Sequence, residues 1–240
     1  MGILGKVMCI LIATKAMGGT NSDMIIRKVD SVANAPKTKK ATFCMELKDA
    51  SGNIEKRKGI TYEANGNRRL LKFTEPASIR KIAFLSLPND VMYIYLPSFR
   101  KVRRIAASVK NTNFAGTDFT YDELSTMEYS KKYRAKLLSQ NDSVWVLKLL
   151  PTSNSAYHHL IMHVDKKHYI PLKIEFYDKS GTLWKVLEEK NIKKIKEYYV
   201  PTLLIMKDLK KKHQTKMDIK NLELDINIPE KVFTRRYLRR

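Results

Sequence analysis

Turn signals interrupt this chain every ten to fifteen residues, and the segments between them have the length and patterning of β-strands. "KDASGN" separates a run around Phe43, Met45 and Leu47 from one leading to Tyr62, and "EANGN" separates that run from Leu70, Leu71 and Phe73. "DKSG" lies between "PLKIEFY" and "TLWKVLEE", and "KDLKKKHQ" between "TLLIM" and "TKMDIKNLEL". Gly, Asn and Asp supply the backbone conformations that tight hairpins require, so the spacing predicts an antiparallel meander. Several runs are apolar on both faces: Trp145, Leu147 and Leu149 against Val144, Val146 and Leu150, and Leu203 and Ile205 against Leu204 and Met206. An antiparallel sheet ordinarily leaves one face to water. This one is therefore expected to be covered on both sides or to curl around something.

Three helical segments interrupt the strands. "NSDMIIRKVDSVAN" offers Asn21 or Ser22 as an N-cap and puts Ile25, Ile26, Val29, Val32 and Ala33 on one stripe. Thr120 and Glu123 have the spacing of a capping box, with Leu124 and Met127 at helical intervals behind them. Pro229 opens a last segment whose Val232, Phe233 and Leu238 can dock a final helix. The fold class is mainly β, with a helix at each end and one midway.

The first residues read as a secretory leader. A weakly positive start precedes the apolar run Val7 to Thr14, and Ala16 and Gly18 are spaced as small residues before a cleavage point. Residues 1–18 are then a leader and 19–240 a single domain with a periplasmic location; an N-terminal core segment is the other reading. Lys6 and the bulky Met8 argue against lipidation at Cys9. Without the leader Cys44 is the sole cysteine, so no internal disulfide forms, and it reads as a small buried hydrophobe. Lys and Arg outnumber Asp and Glu by 46 to 24, a net charge of +22. That excess suits anionic partners, although the lysines are spread over most of the chain as they would be on solvated faces.

Signals for catalysis are weak. His158, His159, His163 and His168 crowd one stretch without the spacing of a metal site, and no nucleophile elbow or glycine-rich phosphate loop occurs. No catalytic residue, metal or cofactor is assigned, and the chain is not read as an enzyme.

A more specific signal is "MYIYLPSFRKVRRIAA", where an alternating strand (Met92, Tyr93, Ile94, Tyr95, Leu96) runs into Arg100, Lys101, Arg103 and Arg104, with Phe99, Val102 and Ile105 among them. The cations could grip nucleic-acid phosphates while Tyr93, Tyr95 and Phe99 stack on bases. They could instead ring the mouth of a lipid cavity. They could also pair with Asp118, Asp122 and Glu123 downstream. The absence of an RNP signature disfavours nucleic acid.

The stretch "YIYLPSFRKVRRIAASVKNTNFAGTDFTYDEL" resembles the outer-membrane lipoprotein-sorting protein family of the LolA-like superfamily. Tyr93, Ile94, Tyr95, Leu96, Pro97 and Phe99 match that family's strand, and Arg100, Val102, Arg103, Arg104 and Ile105 its basic element. Phe114, Gly116, Asp118, Phe119, Tyr121 and Leu124 match the element that follows, and the closing "VFTRRYL" is similar to the family's C-terminal pattern. Where the family has Gly-Thr before a Phe-Leu pair, this chain has Lys81-Ile82 before Phe84-Leu85. The likeness is specific in this central stretch and looser elsewhere.

The resemblance implies a half-open antiparallel β-barrel with a helical lid around a hydrophobic cavity. It also implies a periplasmic carrier that shields the acyl chains of a lipoprotein or lipid during transport to, or sorting at, the outer membrane. Expected cavity-wall residues are Phe84, Leu85, Tyr93, Tyr95, Phe99, Phe114, Phe119, Trp145 and Trp184. Arg100, Arg103, Arg104 and Asp118 are expected at the rim or as lid anchors, the arginines pairing with Asp118 or Asp122. Implied partners are the acyl chains themselves, an inner-membrane lipid exporter and an outer-membrane acceptor. The alternatives are a surface module for anionic lipid or nucleic acid and, more weakly, a lipid hydrolase without a nameable nucleophile.

Overall fold

A computed structural model describes residues 22–65, 67–125 and 128–240, so the leader, Cys9 and Met127 lie outside the described residues. Helix α1 (Ser22–Ala33) leads into six strands: β1 (Thr38–Lys48), β2 (Ile54–Ala64), β3 (Arg68–Glu75), β4 (Ala83–Leu87), β5 (Val91–Leu96) and β6 (Lys101–Arg104). A connecting segment carries the one-turn helices α2 (Tyr121–Leu124) and α3 (Tyr129–Lys132). Seven strands follow: β7 (Tyr133–Gln140), β8 (Val144–Pro151), β9 (His159–Asp165), β10 (Pro171–Tyr177), β11 (Leu183–Ile195), β12 (Tyr198–Asp208) and β13 (His213–Leu224). The chain closes with a 3-10 turn (Glu230–Phe233) and helix α4 (Arg235–Leu238), so the terminal helix is broken at Thr234.

The thirteen strands form one antiparallel sheet, in the order β6-β5-β4-β3-β2-β1-β13-β12-β11-β10-β9-β8-β7. Neighbours in the sheet are neighbours in sequence, as the turn spacing predicts, except at the centre, where β1 joins β13 with Met45 opposite Met217. The sheet curls into an open barrel without closing. One interior cluster draws Phe43 and Phe73 from the first half and Leu147, Leu160, Ile174 and Met206 from the second, together with Ile25, Ile26 and Val29 of α1. A smaller cluster on the opposite face joins Leu70, Leu85 and Tyr95 to Val232, Phe233 and Leu238 of the C-terminal segment.

Side-chain alternation explains the faces. In β1, Phe43, Met45 and Leu47 point inward. Cys44 therefore points outward and is exposed, which corrects its reading as a buried hydrophobe. The edge strand β7 is covered by α1, whose Ser22 Oγ accepts from Leu137 N–H at 2.9 Å. Covering an edge in this way removes a template for pairing with other chains.

Two backbone positions permit the curl. A Cβ at Gly59 would lie 2.2 Å from the Phe43 ring and 2.5 Å from the Lys72 carbonyl oxygen, so no larger residue fits between β1 and β3. Lys81 takes φ of +72°, and its N–H closes the end of β3 on the Phe73 carbonyl at 2.9 Å. The bend expected of the family's glycine is made here by a lysine in a left-handed conformation, at a cost of about 1 kcal/mol. Lys81→Gly should accordingly raise the melting temperature by a few degrees and Lys81→Val lower it. Gly59→Ala should cost about 1–3 kcal/mol through the displaced Phe43 ring, and denaturant titration of the three variants measures each effect.

Candidate functional site

The segment between β6 and β7 plugs one end of the barrel. Phe114 inserts between Phe73 (stacked, centroids 5.5 Å apart), Phe84 (5.9 Å) and Tyr121 (5.6 Å). Ring packs against ring throughout this cluster. Polar contacts fix the plug from beneath. The buried Lys185 ammonium donates to the Asp118 carbonyl oxygen at 2.8 Å and lies 3.3 Å from Glu123 Oε2. Glu123 also accepts from the Tyr157 hydroxyl and completes the predicted capping box with Thr120. Thr215 Oγ1 accepts from Asp118 N–H at 2.9 Å and donates to Asp118 Oδ2 at 2.7 Å.

Asp118 is therefore an anchor of the plug, but not through the arginines. Its carboxylate meets His213 Nδ1 at 2.7 Å and Thr215, while Asp122 meets Lys132 at 2.8 Å. Arg103 instead lies over the Phe99 ring, 5.6 Å from its centroid, and Arg100, Arg103 and Arg104 are exposed. The expected pairing fails because β6 is an edge strand, and Asp118 is buried against β13, far along the sheet order.

The nine expected wall residues are distributed over both faces. Phe84, Phe114 and Phe119 are interior and packed, with Phe119 also bordering a void of about 50 Å³. Trp145 and Trp184 lie half-buried at the interior margin, Trp145 against Tyr169 and Trp184 against Tyr157. Leu85, Tyr93 and Tyr95 belong to the opposite face, beneath the C-terminal segment. Phe99 is 60% exposed.

The hollow lies at the other end of the barrel, beneath α1. A cavity of about 170 Å³ is walled by Val29 and Ala33 of α1, Ala41 of β1, Leu204 of β12 and Ile219 and Leu222 of β13. It opens beside Asp30, Pro36, Lys39 and Glu63 into a polar cleft of about 1090 Å³ that runs along α1. Three devices seat the helices over it. Asp30 of α1 accepts from the backbone N–H groups of Tyr129 (2.9 Å) and Ser130 (2.8 Å), capping α3 from outside. The Lys39 ammonium donates to the Ala33 carbonyl oxygen at the end of α1 at 2.8 Å. Arg69 donates to the Leu124 carbonyl oxygen at 2.8 Å at the end of α2.

Ionisable groups on this wall have opposed environments. Glu63 lies 3.1 Å from Lys39 and 3.0 Å from Arg69; burial works against its charge, but the two cations prevail and hold its carboxyl down to about 2. Glu189 of β11 has no ion pair or hydrogen bond among the described residues, and burial pushes its carboxyl up to about 8 against the attraction of Lys39. Burial thus favours the neutral form of this half-buried side chain at pH 7. Burial and then Glu189 likewise hold the Tyr129 phenol well above its ordinary value. Arg69 Nε on this wall is buried without a hydrogen-bond partner. Sequence reasoning missed Glu189, Tyr129 and Arg69; a double acid ending the apolar run "TLWKVLEE" was the one available signal.

These contacts make separate stability predictions. Lys185→Ala, which strands Glu123, should cost about 3–5 kcal/mol, whereas Arg104→Ala on the exposed edge should change stability by no more than about 0.5 kcal/mol. Glu189 in the folded state lies above its ordinary value of 4.5, so its contribution is full below about 4.5 and drains as pH rises to about 8. Melting curves across that range should flatten in Glu189→Gln.

The chain resembles three solved structures closely in fold. A protein described as an outer membrane lipoprotein-sorting protein domain, from Vibrio parahaemolyticus, is 29% identical with a TM-score of 0.85, covering 91% of this chain and 98% of its own. A DUF1329 family protein from Desulfovibrio piger is 21% identical at TM-score 0.85, covering 90% and 97%. A LolA superfamily protein from Nitrosomonas europaea is 22% identical at TM-score 0.75, covering 90% and 99%. No curated protein matches the chain in sequence. A family model described as "-like: Uncharacterized protein" matches residues 65–240, well over half of the chain. The chain therefore belongs to that family, and its fold is the open antiparallel barrel of these LolA-like structures.

Proposed function

We propose that this protein is a periplasmic carrier that shields part of an acyl chain of a lipid or lipoprotein in the cavity beneath α1. The observation that carries the reading is an apolar hollow between the lid helix and the interior of an open barrel, with its mouth on a polar cleft. Burying methylenes there is worth about 0.8 kcal/mol each. The likeness to a protein described as a lipoprotein-sorting domain supports the same reading. Among the described residues no helix is long and apolar enough to cross a membrane.

At about 170 Å³ the hollow is smaller than the roughly 300–1,000 Å³ of ordinary ligand sites. A cargo therefore has to widen it, and α1, whose Val29 and Ala33 form one side of it, is the element that shifts. The neutral Glu189 carboxyl suits an uncharged chain; once ionised, it would need water or a cation that an acyl chain does not bring.

A fluorescent acyl probe with a neutral head group should bind the wild type. Binding should weaken as pH rises through about 8, and Glu189→Gln should remove that dependence. Ala41→Phe, which fills the hollow from β1, should abolish probe binding at a stability cost of no more than about 1–3 kcal/mol. Unchanged probe binding in Ala41→Phe would exclude this cavity as the site.

A further inference from the structure

Two basic runs from distant parts of the sequence meet on one corner of the fold. Arg100, Lys101, Arg103 and Arg104 occupy the edge strand β6 and the residue before it. Arg235, Arg236, Arg239 and Arg240 occupy the last six residues. Arg104 stands directly across the β5–β6 ladder from Tyr93. The Arg235 guanidinium lies over that same ring, 5.6 Å from its centroid. Tyr93 is thus bracketed by both runs, and Leu238 and Val232, buried on Leu85 and Tyr95, fix the C-terminal run in place.

All eight cations are exposed, and among the described residues none of them forms an ion pair. The neighbouring acids are occupied: Glu230 pairs with Arg68, and Asp90 with Lys110. Eight like charges held together without counter-charge repel one another. Such an arrangement is tolerated where an external anion completes it. At the start of β6, Phe99 projects into solvent with Arg103 against its ring.

We propose that this corner is a docking surface for an anionic phospholipid bilayer. The cations lie on both faces of an edge strand and on a short helix, a spread that suits a surface of phosphates, and Phe99 adds an apolar tip that can enter the head-group region. A binder of single-stranded nucleic acid needs aromatic faces open to bases. Here Tyr95 is buried and Tyr93 is covered by Arg235. The surface is separate from the cavity beneath α1, so the inference stands whether or not that cavity holds an acyl chain.

Co-sedimentation of the full chain with vesicles tests it. The wild type should bind vesicles containing phosphatidylglycerol, with affinity falling as salt rises, and should bind pure phosphatidylcholine weakly. Each cation near such a surface is worth about fivefold in binding, so Arg104→Gln with Arg236→Gln should cost about 30-fold and the corresponding double Glu variant more. Lys179→Glu with Lys212→Glu changes net charge as much as the double Glu variant but lies in distant turns, and should bind almost as well as the wild type. Melting temperature and acyl-probe binding should stay at wild-type values in every variant. If the double Glu variant does not fold, the Gln pair decides the matter. Equal losses in the two Glu variants, no preference for phosphatidylglycerol, or tighter binding to a single-stranded oligonucleotide at the same salt would each overturn the proposal.

Discussion

A sheet of thirteen strands that curls without closing needs something other than strand to cover its interior, and the buried ammonium of Lys185 holds much of that cover in place. It takes the Asp118 carbonyl oxygen and the Glu123 carboxylate together, at the two points where the plug turns into α2. Remove that charge and the capping box of α2 loses its support, along with the ring cluster around Phe114. A buried charge is retained only where hydrogen bonds and a counter-charge compensate its lost hydration. Here the compensation comes from backbone and side chains of the segment being held, so the interaction that satisfies Lys185 also positions the plug.

The interior is divided into a filled end and a hollow end. Phe43, Phe73, Phe84, Phe114 and Tyr121 occupy the first with ring-to-ring packing. At the second, small and branched side chains of α1, β1, β12 and β13 leave space, and the polar groups at its margin are of two kinds. Glu63 is compensated by Lys39 and Arg69 and stays charged; Glu189 lacks such partners and stays neutral. Two carboxyls lining one cavity are therefore pushed in opposite directions from their ordinary values. In this protein the difference separates a structural ion pair, which ties the helix ends to the sheet, from an uncharged group facing the hollow.

How much of this the sequence revealed depended on the range of the contacts. The meander, the Thr120–Glu123 capping box and the docking of Val232, Phe233 and Leu238 follow from spacing within a few residues, and all are present. Strand alternation fixes which residues share a face but not which face is interior. Phe84 and Leu85, adjacent in an apolar strand, consequently went together as cavity wall and are found on opposite sides. The partners of the Asp118 carboxylate are 95 and 97 residues away on β13, beyond any local pattern, whereas the arginines nearby in sequence meet no acid among the described residues. Glu189 acquires its character from α1 and Tyr129, brought to it only by the curl of the sheet.

The seam between β1 and β13 has a consequence for how the chain reaches this state. Every other neighbouring pair in the sheet is joined by a hairpin or short connection and can form locally, but the central pair unites the first strand with the last. Two partial sheets, β1 to β6 and β7 to β13, are therefore natural intermediates, each with one apolar face uncovered until the seam zips. Loop closure over nearly the whole chain must precede that step, which makes it the slow one. A chain interrupted before β13 is complete would have a strand edge at β1 where the finished protein has its middle, and that edge is the place where misassembly with another copy would begin.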